Sequence, residues 1–247
     1  MKLQLPQVTL IAVTSVKIYE TIRALTYSMQ GIDFGEVVLV THKKPFGLPK
    51  GITYKHTDRL TDIDRFNYLI AYELGSYVNT DYVILVHYDG FIVHPEMWRK
   101  EFLDYDYIGS PWPLPTAEHS TYYDANGNIC RVGNSVSLRS RRFLNYPKEA
   151  GFEWTPAADG FYNEDIFLCC MNKVKFEEAG MRFAPIEVAR LFGREHTIPE
   201  TEGVTPFLFH KWWGENRDFP KFENPLTKLW LTIKAIRRRL MFWRDWS

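Results

Sequence analysis

The stretch DYVILVHYDG, residues 81–90, decides the fold. Val83, Ile84, Leu85 and Val86 form a short unbroken apolar run, the signature of a strand buried on both faces of an α/β sheet. The run stops at His87, Tyr88, Asp89 and Gly90. Ligands of open α/β sheets bind beyond the carboxyl ends of the strands, so an acid followed by a turn-forming glycine stands where chemistry is done. Asp-Gly is also a common turn pair with no further role. The acid reads as a phosphoryl nucleophile, a metal ligand or a plain turn residue. The nucleophile reading needs a D-x-D-G pattern, and residue 87 is His. A metal ligand needs only the last acid, so that reading and the turn both stay open.

Outward from this strand, the chain alternates strand and helix. Residues 7–14 read as a first strand, 17–30 as a helix closed near Gly31, 36–43 as a second strand and 51–56 as a short third. Residues 62–77 carry Phe66, Leu69, Ile70, Tyr72 and Leu74 on one side of a helix. Beyond Gly90, residues 106–112 read as strand then loop, 131–144 as a strand turning into a helix, 163–174 as a helix and 181–192 as a strand and loop. The expectation is an α/β fold, a Rossmann-like mixed sheet flanked by helices, in one domain over residues 1–224.

Bulk properties narrow the function. The 247 residues are 45% hydrophobic and 24% charged, as in ordinary globular proteins. Zero formal net charge argues against a nucleic-acid binder. Residues 225–247 nevertheless hold Lys228, Lys234, Arg237, Arg238, Arg239 and Arg244 against the single acid Asp245. Leu226, Leu229, Trp230, Ile233, Ile236, Leu240 and Trp243 recur there in helical steps, so the tail reads as a basic amphipathic helix suited to an anionic membrane surface. Cys130, Cys169 and Cys170 offer neither a disulfide framework nor zinc spacing. With no secretory pattern at the start and no run of about 18 apolar residues, the expected place is the cytoplasmic side of a membrane, peripherally attached. No G-x-G-x-x-G, phosphate-loop or G-x-S-x-G motif occurs.

Four features follow in order: Asp89 at a strand end, GNSVSLRSR at 133–141, NEDIF at 163–167 and PFLFHKWW at 206–213. With EFLDYDYIGSPW (101–112) and APIEVA (184–189), they resemble glycosyltransferases of the GT-A fold. More narrowly, they resemble a bacterial glycosyltransferase-like family described as a domain of unknown function. The resemblance covers about residues 8–213. It implies that Asp89 matches the last acid of a D-x-D motif binding Mn²⁺ or Mg²⁺, with His87 departing from the first. It implies His210 as a second metal ligand and Lys211 as a phosphate contact. It implies Asp165 as the base that deprotonates the acceptor in an inverting reaction, with Glu164 orienting the acceptor. A helix cap built from Asn163 and the two acids is the plainer reading of that segment.

The donor nucleotide is then expected against Thr14, Ser15, Thr41, Arg65 and Tyr88, and its sugar or phosphates against Gly133, Asn134 and Ser135. Trp112, Trp212 and Trp213 serve either as sugar-stacking platforms or as core. The expected partners are a UDP-linked hexose as donor, a surface glycan or lipid-linked acceptor, and the membrane through residues 225–247. Two rivals stand beside this. One is a nucleotidyl or phosphosugar transferase of related fold, although SVKIYETIR (15–23) lacks a glycine-rich basic first loop. The other is a glycan-binding module without metal or catalysis, which His87 leaves open.

Overall fold

Strand β1 (Leu3–Val13) lies at the middle of a six-stranded sheet. On one side it pairs in parallel with β2 (Ile32–Thr41), which pairs in parallel with β3 (Thr53–His56). On the other side it pairs in parallel with β4 (Tyr82–Leu85). Antiparallel β6 (Val132–Ser140) follows, with β5 (Tyr107–Pro111) at the far edge, for an order β3-β2-β1-β4-β6-β5. This computed structural model describes residues 2–116 and 122–224. The basic amphipathic tail expected at 225–247 lies outside the described residues.

The apolar runs are continuous because both faces of the central strands are covered. Leu10 and Ala12 of β1 belong to one core with Leu39, Ile84 and helix α1 (Ile18–Ser28). Ile11 and Val13 point to a second core with Val38, Val40, Val83 and Leu85, closed by Leu69, Ile70 and Leu74. Side chains alternate faces along a strand, so one VILV-type run feeds two hydrophobic layers.

Three predicted elements take a different form. The helix expected over 62–77 is capped by Asp62, whose side chain accepts from Arg65 N at 2.8 Å, but it winds in three ways. Helix α2 (Ile63–Tyr68) widens into a π-turn at Leu69–Glu73 and tightens into a 3₁₀ turn at Leu74–Tyr77. The segment expected as one helix over 163–174 behaves likewise. After α3 (Arg141–Glu149), a single turn α4 (Glu164–Ile166) opens into a π-turn at Phe167–Met171 before α5 (Lys173–Glu178). Residues 181–192, expected as strand and loop, instead form helix α6 (Ile186–Phe192) after Pro185, with Ala189 and Phe192 buried at helical spacing. A second, two-stranded parallel sheet joins β7 (Gly193–Arg194) to β8 (Leu208–Phe209). Among the described residues, no helix is long and apolar enough to cross a membrane.

Candidate functional site

The strand order turns back between β1 and β4, and a cavity of about 490 Å³ opens beyond their carboxyl ends. One wall is apolar, made by Val13, Val16, Leu60, Ile63 and Phe66. The charged and titratable lining comes from His87, Asp89, Glu164, Asp165, His210 and Lys211, and the His87 ring meets the apolar lining at Phe66, centroids 5.6 Å apart.

Residues His87–Gly90 close a tight turn, with His87 N donating to Gly90 O at 2.7 Å and Gly90 N to His87 O at 3.3 Å. The chain leaving this turn is zipped to β8: Phe209 N donates to Phe91 O at 3.2 Å and Lys211 N to Asp89 O at 2.8 Å. That pairing brings residue 210 beside residue 89 across more than a hundred residues of chain. His210 Nε2 lies 3.9 Å from Asp89 Oδ1. One donor atom each from His87, Asp89 and His210 falls within 4.8 Å of the others.

This trio suits a cation. His210 is buried, yet its Nε2 has no hydrogen-bond partner, and buried polar atoms are ordinarily satisfied. Burial, then the nearby His210, pushes His87 down to about 3 against the pull of Asp89, so its imidazole is the neutral, ligating form. Burial also raises the Asp89 carboxyl, but His210, Lys211 and His87 together hold it below its ordinary range and ionised. Lys211 Nζ reaches Asp89 Oδ2 at 2.7 Å from a backbone with φ of 62°.

Gly90 makes this approach possible. A Cβ there would stand 2.7 Å from His210 Cδ2 and 2.7 Å from Val136 Cγ2. Gly90→Ala is therefore expected to push the imidazole away from Asp89 and to cost about 1–3 kcal/mol of stability. Chemical denaturation alongside Mn²⁺ titration checks both effects, and a variant matching the parent in each would show the close approach to be unimportant.

The second acidic centre lies at the start of α4. Asp165 lines the cavity, and its Oδ1 accepts from Ile166 N at 2.9 Å. Burial, and then the negative charges of Glu164 and Glu195, push its carboxyl up to about 8. Asn163 stands at the N-cap position and both acids fall in the first turn, as the cap reading has it, but the Asn163 side chain makes no capping bond. Glu164 is buried against fully buried Arg139, with Arg139 Nη2 3.2 Å from Oε1. Its Oε2 lines up with no partner.

Of the other residues singled out in the sequence, Thr14, Ser15, Tyr88 and Ser135 line the cavity. Thr41, Arg65, Gly133 and Asn134 do not line it. Arg65 turns to Glu73, with Nη2 to Oε2 at 2.8 Å. Thr41 is wholly buried at the end of β2. Gly133 is glycine because a Cβ would stand 2.0 Å from the Trp112 ring, which packs in the core rather than offering a sugar platform. Asn134 bonds Glu195 instead, through Nδ2 to Oε2 at 2.6 Å. Glu195 had no sequence signal, and His87 stood out only as a departure from an acid motif; the pairing of β7 with β8 and the tight turn at His87–Gly90 bring both to this place.

Residues 54–210, well over half of the chain, match the profile of a family described as a protein of unknown function, DUF5672. The chain belongs to the DUF5672 family. The matched span holds His87, Asp89, Asp165, Glu195 and His210, so the His87/Asp89/His210 group and the second acidic centre both fall inside the DUF5672 region. The family description states no activity, and no curated protein matches the chain.

Proposed function

We propose that this DUF5672 chain is a metal-dependent glycosyltransferase of the GT-A type, moving a hexose from a UDP-linked donor to a hydroxyl of a glycan or lipid-linked acceptor with inversion. The observation that carries the reading is the pairing, in one cavity at the strand-order reversal, of a His87/Asp89/His210 trio with the Asp165 carboxylate. The two imidazoles and one carboxylate would hold a divalent ion, and they favour Mn²⁺ over Mg²⁺, which prefers all-oxygen shells. Bound there, a divalent ion would supply stabilisation of the charge that grows on a departing nucleoside diphosphate.

The chain's own groups supply the rest. Lys211 adds positive charge at the same place. Asp165, ionised, takes the acceptor hydroxyl proton at its free oxygen. Glu164, held through Oε1 by Arg139, offers Oε2 as a hydrogen-bond acceptor to a hydroxyl of the bound sugar. The non-catalytic alternative drew on His87 standing where an acid is expected; its place within the trio favours the enzyme instead.

Thermal unfolding with a panel of nucleotide sugars tests this. UDP-sugars at about 100 times their Kd are expected to add about 2.7 kcal/mol, and to do so only with Mn²⁺ present. Equal stabilisation in chelator, or none with any nucleotide sugar, would remove the proposal.

A further inference from the structure

Glu195 and His210 each stand one residue past a strand of the small sheet. The register of that sheet matches Gly193 with Leu208 and Arg194 with Phe209. The next pair along the parallel ladder is Glu195 with His210, and His210 N donates to Arg194 O at 2.9 Å. Fully buried Asn216 locks both strand exits, its Nδ2 donating to Arg194 O at 2.9 Å and Lys211 O at 3.1 Å. Backbone geometry thus sets Glu195 beside the imidazole.

The side chains complete the arrangement. Glu195 Oε1 lies 3.1 Å from His210 Nδ1, off the line of a straight hydrogen bond, while Nε2 on the far side of the ring faces Asp89. Oε2 accepts from Asn134 Nδ2 at 2.6 Å and has His196 Nε2 3.9 Å away. Asn134 holds a φ of 146°, a strained setting for any residue but glycine. It is kept there by its Oδ1 accepting from Val136 N at 2.9 Å and by Tyr107 Oη donating to its carbonyl at 2.6 Å. A strained residue tied down at two points, with its remaining amide group spent on one carboxylate, points to a carboxylate whose position matters.

We infer that Glu195, seated by Asn134, is a positioning residue that holds His210 with its proton on Nδ1 and its Nε2 lone pair turned toward Asp89. A carboxylate behind a histidine fixes both ring orientation and tautomer, and frees the opposite nitrogen to ligate. The use of that lone pair rests on the metal reading above; the arrangement itself does not.

Glu195→Gln is the informative variant. Its amide cannot accept from both Asn134 and the imidazole, so it either releases Asn134 or turns an NH₂ toward Nδ1 and drives the proton to Nε2. Asn134→Gly keeps the positive-φ backbone and removes the carboxamide alone. The full chain, labelled with ¹⁵N-histidine, reports the residue 210 tautomer by NMR, with His210→Gln identifying the signals. Titration with Mn²⁺ alone, followed by electron paramagnetic resonance, reports affinity.

Glu195→Gln should shift the residue 210 signals away from the Nδ1-protonated pattern and weaken Mn²⁺ binding 10–100-fold. Asn134→Gly should move both in the same direction. If Glu195→Gln and Asn134→Gly both match the parent in tautomer and Mn²⁺ affinity, the positioning role is overturned and the metal reading stands. If the parent takes up no Mn²⁺ while the tautomer still depends on Glu195, the metal reading falls and the positioning role stands.

Discussion

Asp89→Asn is expected to weaken Mn²⁺ binding by at least about 10²-fold and to abolish ion-dependent binding of UDP-sugars. Of the trio, His87 and His210 offer ring nitrogens, and Asp89 alone offers a carboxylate. A pair of unit charges about 4 Å apart near a protein surface interacts by about 4 kcal/mol, and a divalent ion gains more. The substitution also leaves Lys211, now 2.7 Å from that carboxylate, as an uncompensated positive charge beside the ion. Attraction is thus exchanged for repulsion with little change in shape, since Asn can still accept from Lys211 through its amide oxygen. Titration with Mn²⁺ alone separates the ligand role from any effect on the nucleotide, and unfolding curves separate both from loss of the fold. Binding of Mn²⁺ equal to that of the parent would end the case for Asp89 as a ligand.

Asp89 was legible because a four-residue apolar run ending in a polar turn is a local pattern with a known place in an α/β sheet. His210 was legible only through the order of motifs, since its approach to Asp89 depends on a strand of two residues, too short for alternation to register. His87 reads as a departure because the template asks for an acid; under the proposed metal reading the requirement is a lone pair, which a neutral imidazole supplies. Glu164 reads as an acid that orients the acceptor, and nothing local announces its ion-pair partner. Its partner is Arg139, twenty-five residues earlier on a strand whose SLRSR pattern does not reveal which side chains face inward. Gly133 illustrates the reverse error, because the demand for a missing side chain comes from Trp112, distant in sequence and packed onto it. Helix α6 is hard to see in the sequence because it runs only from Ile186 to Phe192, with Pro185 standing at its N-cap.

Asp165→Asn is expected to retain donor affinity while reducing transfer by about 10²–10⁴, the usual worth of general-base help. The pH dependence carries the sharper signature. With its carboxyl pushed up to about 8 by burial and by Glu164 and Glu195, Asp165 is mostly protonated at neutral pH and becomes a base as the pH rises through that value. Transfer by the parent should therefore climb through about pH 8 and level off, whereas the amide variant should be slow and flat. Stability should move the opposite way. A carboxyl whose pKa is higher folded than unfolded binds more protons in the native state, so its contribution is full below about pH 4 and is lost as the pH rises toward 8. The amide never ionises, so Asp165→Asn should melt progressively higher than the parent as the pH is raised over that interval. A gain in stability joined to a loss of turnover is what a group kept for chemistry rather than for folding should produce. Retained turnover with a flat stability difference across pH 5–9 would show that Asp165 is neither strained by its neighbours nor the base.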